Sequence, residues 1–472
     1  MRLSRSNEIL NPRIELITQG ATMAGKTIEF WIQIEHHDWN TQPNNIDRMD
    51  TSSSPPPDIV KDALILRRYT PDWVSPADQK VNPWDLNEPD PATTCGTIPG
   101  PVLECNVGDE IVVHFRNHDY RATPDFVYRA HSLHPHGVVF PTTYDGAYPL
   151  SPPDALQKIT VGDPEEAAWK AMGVTGLKQG DRVPPGGSFK YTWSTFGWPT
   201  TAGVWLYHDH SIWDAANTLR GAIGFIVVHN ETDIDDVVQQ DLPGNDLNGA
   251  LTVANAKGVE CFVAPPTKAL YLQLFHELHD EIDVNSPNKR GSYINGRRNL
   301  GNTPTLIGGT NTKMRFGIGA MNMSDTHTFH IHGHRWVVPG PSGDKVGGTT
   351  PFGSGVQVST QNQAVSQFED TKLLGPANSF SMTINQGTFM GPPIGKQKGE
   401  WHMHCHILDH MANDGMMGSL LIVDEGDPVN LPAGTIPMGK MGLGDPAAGA
   451  GGPGMGGMPM PNDKQGRGGR KS

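Results

Sequence analysis

The chain has 472 residues, 36% of them hydrophobic, and a formal net charge of −14. Exchanging tyrosine for glycine in that count brings the apolar fraction to roughly 46%, normal for a soluble globular protein, which excludes disorder throughout and suggests two or three domains. The acidic balance argues against general nucleic-acid binding and suits the attraction of cations.

The first twenty residues, MRLSRSNEILNPRIELITQG, carry basic residues but no apolar h-region, so no signal peptide is read there. No apolar run reaches the length of about 18 residues that a membrane span needs. The 55 glycines and 40 prolines, about a fifth of the chain, predict many turns and a mainly β fold. The first strand falls at TIEFWIQIE, where Ile28, Phe30, Ile32 and Ile34 alternate with Thr27, Glu29, Trp31 and Gln33, the pattern of a half-buried strand. The polar, proline-rich stretch TQPNNIDRMDTSSSPPPD reads as a loop. Further strands are expected at DEIVVHFRN, SFKYTWS, WLYHDH and GAIGFIVV, the last ending at Val228. Residues 229–265 are acidic and turn-rich, and a domain boundary is placed there. Strands resume at ALYLQLF and continue through KMRFGIG, THTFHIHGH, SFSMTIN and GSLLIVD. From about 426 the sequence is rich in Gly, Met and Pro without periodicity and is expected to be disordered.

Cysteine is scarce. Cys95, Cys105, Cys261 and Cys405 are too few for a disulfide scaffold in a chain of this length. Any one pairing among the first three stays open, as do buried thiols.

An internal repeat is the strongest signal. Four His-x-His pairs occur, His134/His136, His208/His210, His330/His332 and His404/His406. The same step of 196 residues carries His134 to His330, His208 to His404, Trp205 to Trp401 and His131 to His327. Two similar β domains in tandem account for this. On a strand, residues i and i+2 share a face, so each pair presents two imidazoles to one side, about 6–7 Å apart. Imidazole suits Zn, Cu, Fe and Ni. Cys405 lies between His404 and His406 and therefore points to the opposite face. His410, Met416 and Met417 follow it. Two His, one Cys and a weak axial Met form the donor set of a blue-copper site, and His327 is the candidate for the distant His.

These residues resemble the multicopper oxidases. HSLHPHG, WLYHDH, HTFHIHGH and HMHCHILDHMANDGMM stand in that family's order. GTIPGPVLECNVGDEIVVHFRN, VPPGGSFKYTW and SYINGRRNLGNTP are similar to its ceruloplasmin-type branch. The resemblance covers roughly residues 27–425. It implies an all-β chain of two tandem cupredoxin-like Greek-key β-sandwich domains with a disordered C-terminal tail. The divisions are 1–26 as an N-terminal extension, 27–230, a linker at 231–265, 266–425, and the tail at 426–472.

Carried over residue by residue, it implies type 1 copper at His327, Cys405 and His410, with Met416 axial. His134 and His330 would bind type 2 copper. One type 3 copper would take His136, His208 and His406, the other His210, His332 and His404. The family usually places the axial Met five residues after the second type 1 His, where Gly415 stands here. Asp214 to Gly221 spans seven residues and His410 to Gly418 eight, so a one-residue insertion selects Met416. Met417, or no axial ligand, is the alternative. Asp209 and Asp214 occupy the type 1 positions of the first half, leaving His131 as a structural histidine. Asp145, nine residues after His136, is the candidate proton relay; a plain Asp-Gly turn is the other reading.

The activity so implied is oxidation of phenols, aromatic amines or low-valent metal ions, coupled to reduction of O₂ to water. The expected assembly is a homotrimer, without nucleic acid or membrane span, and the family favours secretion or the periplasm. A copper nitrite reductase is the rival enzyme; its members carry type 1 copper in the first domain. Copper sequestration is the non-enzyme rival, with Met438, Met441, Met455, Met458 and Met460 of the tail as soft ligands.

Overall fold

The structure is a computed structural model describing residues 25–52, 54–77, 96–122, 126–149, 156–239, 259–262, 268–280, 289–323, 325–338, 357–358, 364–365, 367–384, 398–423, 428–431 and 436–437. In chain order the first half supplies β1 (Thr27–Asn40), β2 (Ile59–Tyr69), β3 (Leu103–Asn106), β4 (Glu110–Asn117) and β5 (His134–Pro135). It continues with β6 (Leu156–Lys158), β7 (Leu177–Gln179), β8 (Ser188–Ser194), β9 (Gly203–His208) and β10 (Ile223–His229). One sheet runs β2-β1-β4-β8 and the other β3-β10-β9-β5. Phe30, Ile32, Ile34, Phe115, Tyr191, Trp193, Tyr207 and Ile226 fill the space between them.

The second half begins with β11 (Val237–Gln239), β12 (Val259–Phe262), β13 (Lys268–His279), β14 (Lys289–Ile294), β15 (Pro304–Gly309), β16 (Lys313–Met321) and β17 (His327–Ile331). Short strands β18 (Trp336–Val338), β19 (Gln357–Val358), β20 (Ala364–Val365) and β21 (Gln367–Glu369) follow. The remainder are β22 (Thr371–Leu374), β23 (Ser379–Thr383), β24 (Gly399–Cys405), β25 (Met417–Val423), β26 (Pro428–Leu431) and β27 (Ile436–Pro437). One sheet runs β11-β13-β16-β23 and the other β22-β17-β24-β25-β15-β27. The all-β, two-sandwich architecture is thus present. The repeat extends to register: His134 pairs with His208 exactly as His330 pairs with His404.

Three features depart from the sequence reading. β2 was not anticipated, because both of its faces are covered. Leu64 and Leu66 enter the first core while Val60, Ala63 and Ile65 pack with Leu278 and Tyr293 of the second domain, which erases the alternation of period two. The linker contains strands: β11 lies parallel to β13, and β12 pairs with β26. The tail is regular at its start, since β26 pairs with β12 and β27 with β15, and backbone pairing there needs no hydrophobic period. Residues 438–472, with the tail methionines, lie outside the described residues. Among the described residues no helix is long and apolar enough to cross a membrane.

Further contacts fasten the domains together. Val204, Leu206 and Phe225 pack on Leu270, Leu272 and Leu274, each burial contributing about 2 kcal/mol. Gly317 permits the close approach, because a Cβ there would lie 2.8 Å from Val204 and Leu272. The loop expected at 41–58 lies across the second domain. Asn44 N–H donates to Asn302 Oδ1 at 2.8 Å, and Arg48 makes two 2.6 Å bonds to the Glu400 carboxylate.

Candidate metal centres

Parity along β17 and β24 sorts the histidines and the cysteine. The two strands are antiparallel, with Phe329 opposite Cys405 and His330 opposite His404. The odd-numbered residues His327, Phe329 and Cys405 turn into the sandwich, and all three are fully buried. His410, on the short helix Leu408–Ala412, closes over them and is also buried. Cys405 Sγ lies 3.8 Å from His327 Nδ1 and 3.7 Å from His410 Nδ1, and those two nitrogens are 3.2 Å apart. Thr328 N–H donates to the sulfur at 3.3 Å. One thiol and two imidazole nitrogens converging in an apolar core fit a soft or borderline metal ion.

β25 supplies the neighbouring methionines. His404 is opposite Met417, so the same register sets Cys405 opposite Met416, whose carbonyl accepts from Cys405 N–H at 3.2 Å. Met416 is wholly buried in the cluster that holds Cys405. Met417 shares the face of His404.

The even-numbered histidines form two quartets on the opposite faces. In the first domain, ring centroids of His134, His136, His208 and His210 lie 5.2–5.6 Å apart in five close pairs. In the second, those of His330, His332, His404 and His406 lie 5.2–5.4 Å apart, also in five. The parallel reaches individual atoms. His136 Nε2 is 3.2 Å from His208 Nε2, and His332 Nε2 is 3.1 Å from His404 Nε2. His208 Nδ1 is 2.8 Å from the Asp209 carbonyl, and His404 Nδ1 is 2.9 Å from the Cys405 carbonyl. With Nδ1 donating to a carbonyl, the Nε2 lone pair of each ring is left to face another nitrogen. A bound cation between them satisfies both. Burial lowers the pKa of His136 to about 4 and of His208 to about 3, and also lowers those of His332 and His404. The rings are therefore neutral near pH 7, the form that binds metal.

His134 Nδ1 lies 2.8 Å from the Asp145 carbonyl and 3.0 Å from its carboxylate. His330 Nδ1 lies 2.8 Å from the Asp370 carbonyl. Among the described residues no ring contact links one quartet to the other, so a single chain presents two separate histidine quartets.

In the first domain the place of the buried triad is taken by charge. His131 Nε2 is 2.9 Å from Asp119 and its Nδ1 is 2.5 Å from Asp209, all fully buried. Arg121 grips the Asp119 carboxylate at 2.7–3.0 Å. Burial alone would lower the His131 pKa, but the two carboxylates raise it. Asp214 has turned outward and lies 3.0 Å from His210 Nδ1. Sequence reasoning missed Asp119 and Arg121, and also His402, whose ring centroid is 5.8 Å from that of His332. His402 had an available signal, since it continues the even-numbered series on β24.

The family model for multicopper oxidases matches residues 265–426. A relative in Kuenenia stuttgartiensis, "Probable nitrite reductase-hydroxylamine oxidoreductase fusion protein", is 25% identical over 74% of this chain and 30% of its own length. Human "Ferroxidase HEPHL1" is 33% identical over 28% of this chain and 9% of its own length. The chain thus spans under a third of each of these relatives. A solved copper nitrite reductase from Nitrosomonas europaea aligns over 87% of this chain and 99% of its own, at 14% identity and a TM-score of 0.47.

Proposed function

We propose that this chain is an oxidase of the multicopper oxidase family, whose model matches residues 265–426, and that it couples four one-electron substrate oxidations to reduction of O₂ to two waters. The observation that carries this reading is the division of β24. Cys405 enters a buried triad with His327 and His410, while His404, one peptide bond away, enters a quartet. Copper would be held by His327, Cys405 and His410, with the Met416 thioether as a further donor, and by the quartets. In the quartets His134 and His330 would serve one ion, His136, His208 and His406 a second, and His210, His332 and His404 a third. Bound there, copper would supply one-electron acceptance from the substrate and reduction of O₂.

The chain's own residues do the rest. Carbonyls at Asp209 and Cys405 fix the tautomers of His208 and His404. The peptide bonds flanking Cys405 give a covalent path from the triad to both His404 and His406. Reduction of O₂ consumes protons, and the partly exposed Asp145 carboxylate, 3.0 Å from His134 Nδ1, is placed to pass them inward from solvent. At the substrate side, the exposed Asp325 carboxylate lies 3.8 Å from His410 Nε2. With a net charge of −14 and a relative named as a ferroxidase, this favours a low-valent metal ion over a phenol as reductant.

The test is O₂ uptake by the copper-loaded protein with Fe(II), Cu(I), Mn(II) and a phenol in turn. The metal ions are expected to support uptake above the phenol, and failure of all four overturns the oxidase reading. Nitrite reduction is the second reading, favoured by the Kuenenia relative. Metal analysis separates the two, with about four coppers per chain for the oxidase and about two for the reductase.

A further inference from the structure

The loop between His410 and β25 is longer by one residue than its counterpart after Asp214, and at that place it is held by Asn299 of its own domain, which in turn contacts the other domain. Gly415 adopts φ +69°, and a Cβ there would sit 1.8 Å from Asn299 Oδ1 and 2.8 Å from Asn299 N. Only glycine admits that approach. Asn299, itself at φ +65°, donates its backbone N–H to the Gly415 carbonyl at 2.7 Å. Its side-chain Nδ2 donates to Gln42 Oε1 at 2.5 Å. Gln42 belongs to the strap at 41–58 and is buried. It is fixed by its own N–H to Asn40 Oδ1 at 3.0 Å and by Nε2 to the Pro56 carbonyl at 3.4 Å. One residue before Gly415, Asp414 Oδ2 accepts from Ser292 N–H at 2.9 Å. Met416 follows these two residues directly and is tied to the triad by Met416 N–H to the His410 carbonyl at 3.0 Å and Cys405 N–H to the Met416 carbonyl at 3.2 Å.

We propose that Gln42 of the first domain is a positioning residue for the Met416 loop of the second, acting through Asn299. The inference rests on the reading of Met416 as axial ligand. It adds that the position of this ligand is set partly from the neighbouring domain. The Gln42 carbonyl oxygen orients the Asn299 amide. Asn299 then holds the Gly415 carbonyl, and through it the start of β25. Freed of that contact, the loop gains room to move Met416 along the axis toward or away from the triad.

Two measurements test this. In the copper-free protein, amide hydrogen exchange at Met416 and Met417 reports the loop directly. Gln42→Ala and Asn299→Gly, the latter keeping the left-handed backbone, are expected to speed that exchange about fivefold, the equivalent of one net hydrogen bond. Gln42→Glu keeps the accepting oxygen and is expected to restore slow exchange. In the copper-loaded protein, the visible band and reduction potential of Gln42→Ala and Asn299→Gly should shift in the direction taken by Met416→Leu. Unchanged exchange in both variants overturns the proposal. So does a shift in Met416→Leu with none in the other two. Silence of Met416→Leu itself overturns the axial reading, and the proposal falls with it.

Discussion

Cys405 occupies the single position on β24 where a change of one atom separates folding from chemistry. Its side chain is fully buried, with Thr328 N–H directed at the sulfur. Cys405→Ser retains that contact, because an oxygen also accepts, and burying the hydroxyl costs about 1–3 kcal/mol. The copper-free variant is therefore expected to melt cooperatively, a few degrees below the parent. Its blue absorption and its O₂ uptake should vanish together, since serine supplies no thiolate. A variant that stays blue would remove Cys405 from the assignment. The repeat carries this position to residue 209 in the first domain. Asp209 stands there, accepts from His131 and from Ser211 N–H, and completes a buried network with Asp119 and Arg121. A buried charge pair survives only when its remaining donors and acceptors are met, and here each carboxylate meets several. The spacing of 196 residues made the exchange of Cys405 and His410 for Asp209 and Asp214 legible. It gave no sign of Asp119 or Arg121, which come from a loop outside the repeated motifs.

At the scale of elements, the strands legible in sequence are those with one covered face, such as β1, β4 and β8, whose alternation survives. β2 and the strands at the domain junction are covered on both sides or paired only through backbone, and their pattern is lost. The contacts that bind the domains are illegible for a different reason: Gln42 and Asn299 are 257 residues apart, and nothing local marks either as the other's partner. The end of β10 offers a test of one such junction. His229 lies 2.7 Å from Glu104 at the end of β3 and 3.6 Å from Asp233, which in turn meets Arg315 of β16 at 2.6 Å. Burial would lower the His229 pKa, but the two carboxylates raise it to about 9. A raised folded-state pKa stabilises fully below the unfolded value near 6.5 and loses its contribution as pH climbs through about 9. The shift corresponds to about 3 kcal/mol. Thermal unfolding of His229→Gln should therefore fall well below the parent at pH 6, with the gap closing by pH 9.5. A gap of constant size across that range contradicts the charged pairing.

At the scale of the whole molecule, the proposed ligand sets require the two quartets to be brought together. His210 and His327 are 117 residues apart, too few for a further domain of about 150 residues with its connections. Folding the second quartet onto the first within one chain would require the domains to separate. That would expose Val204, Leu206, Phe225, Leu270, Leu272 and Leu274, and break the Arg48–Glu400 and Asn44–Asn302 contacts. At about 2 kcal/mol for each apolar side chain, the loss is near the whole stability of a domain. A second copy can instead bring its second domain to the first domain of its neighbour, leaving each chain's own junction intact. Such contacts are heterologous and must close into a ring, and three chains give a ring of six domains. Assembly and metal loading are then linked, because a lone chain offers each quartet only half of its partners. Light scattering of the copper-loaded protein is expected to give about three times 51.2 kDa. Removal of copper should weaken the assembly, since ions bridging two chains favour the associated state by mass action. A fully loaded, active species of 51.2 kDa would exclude the ring and require both quartets to meet inside one chain.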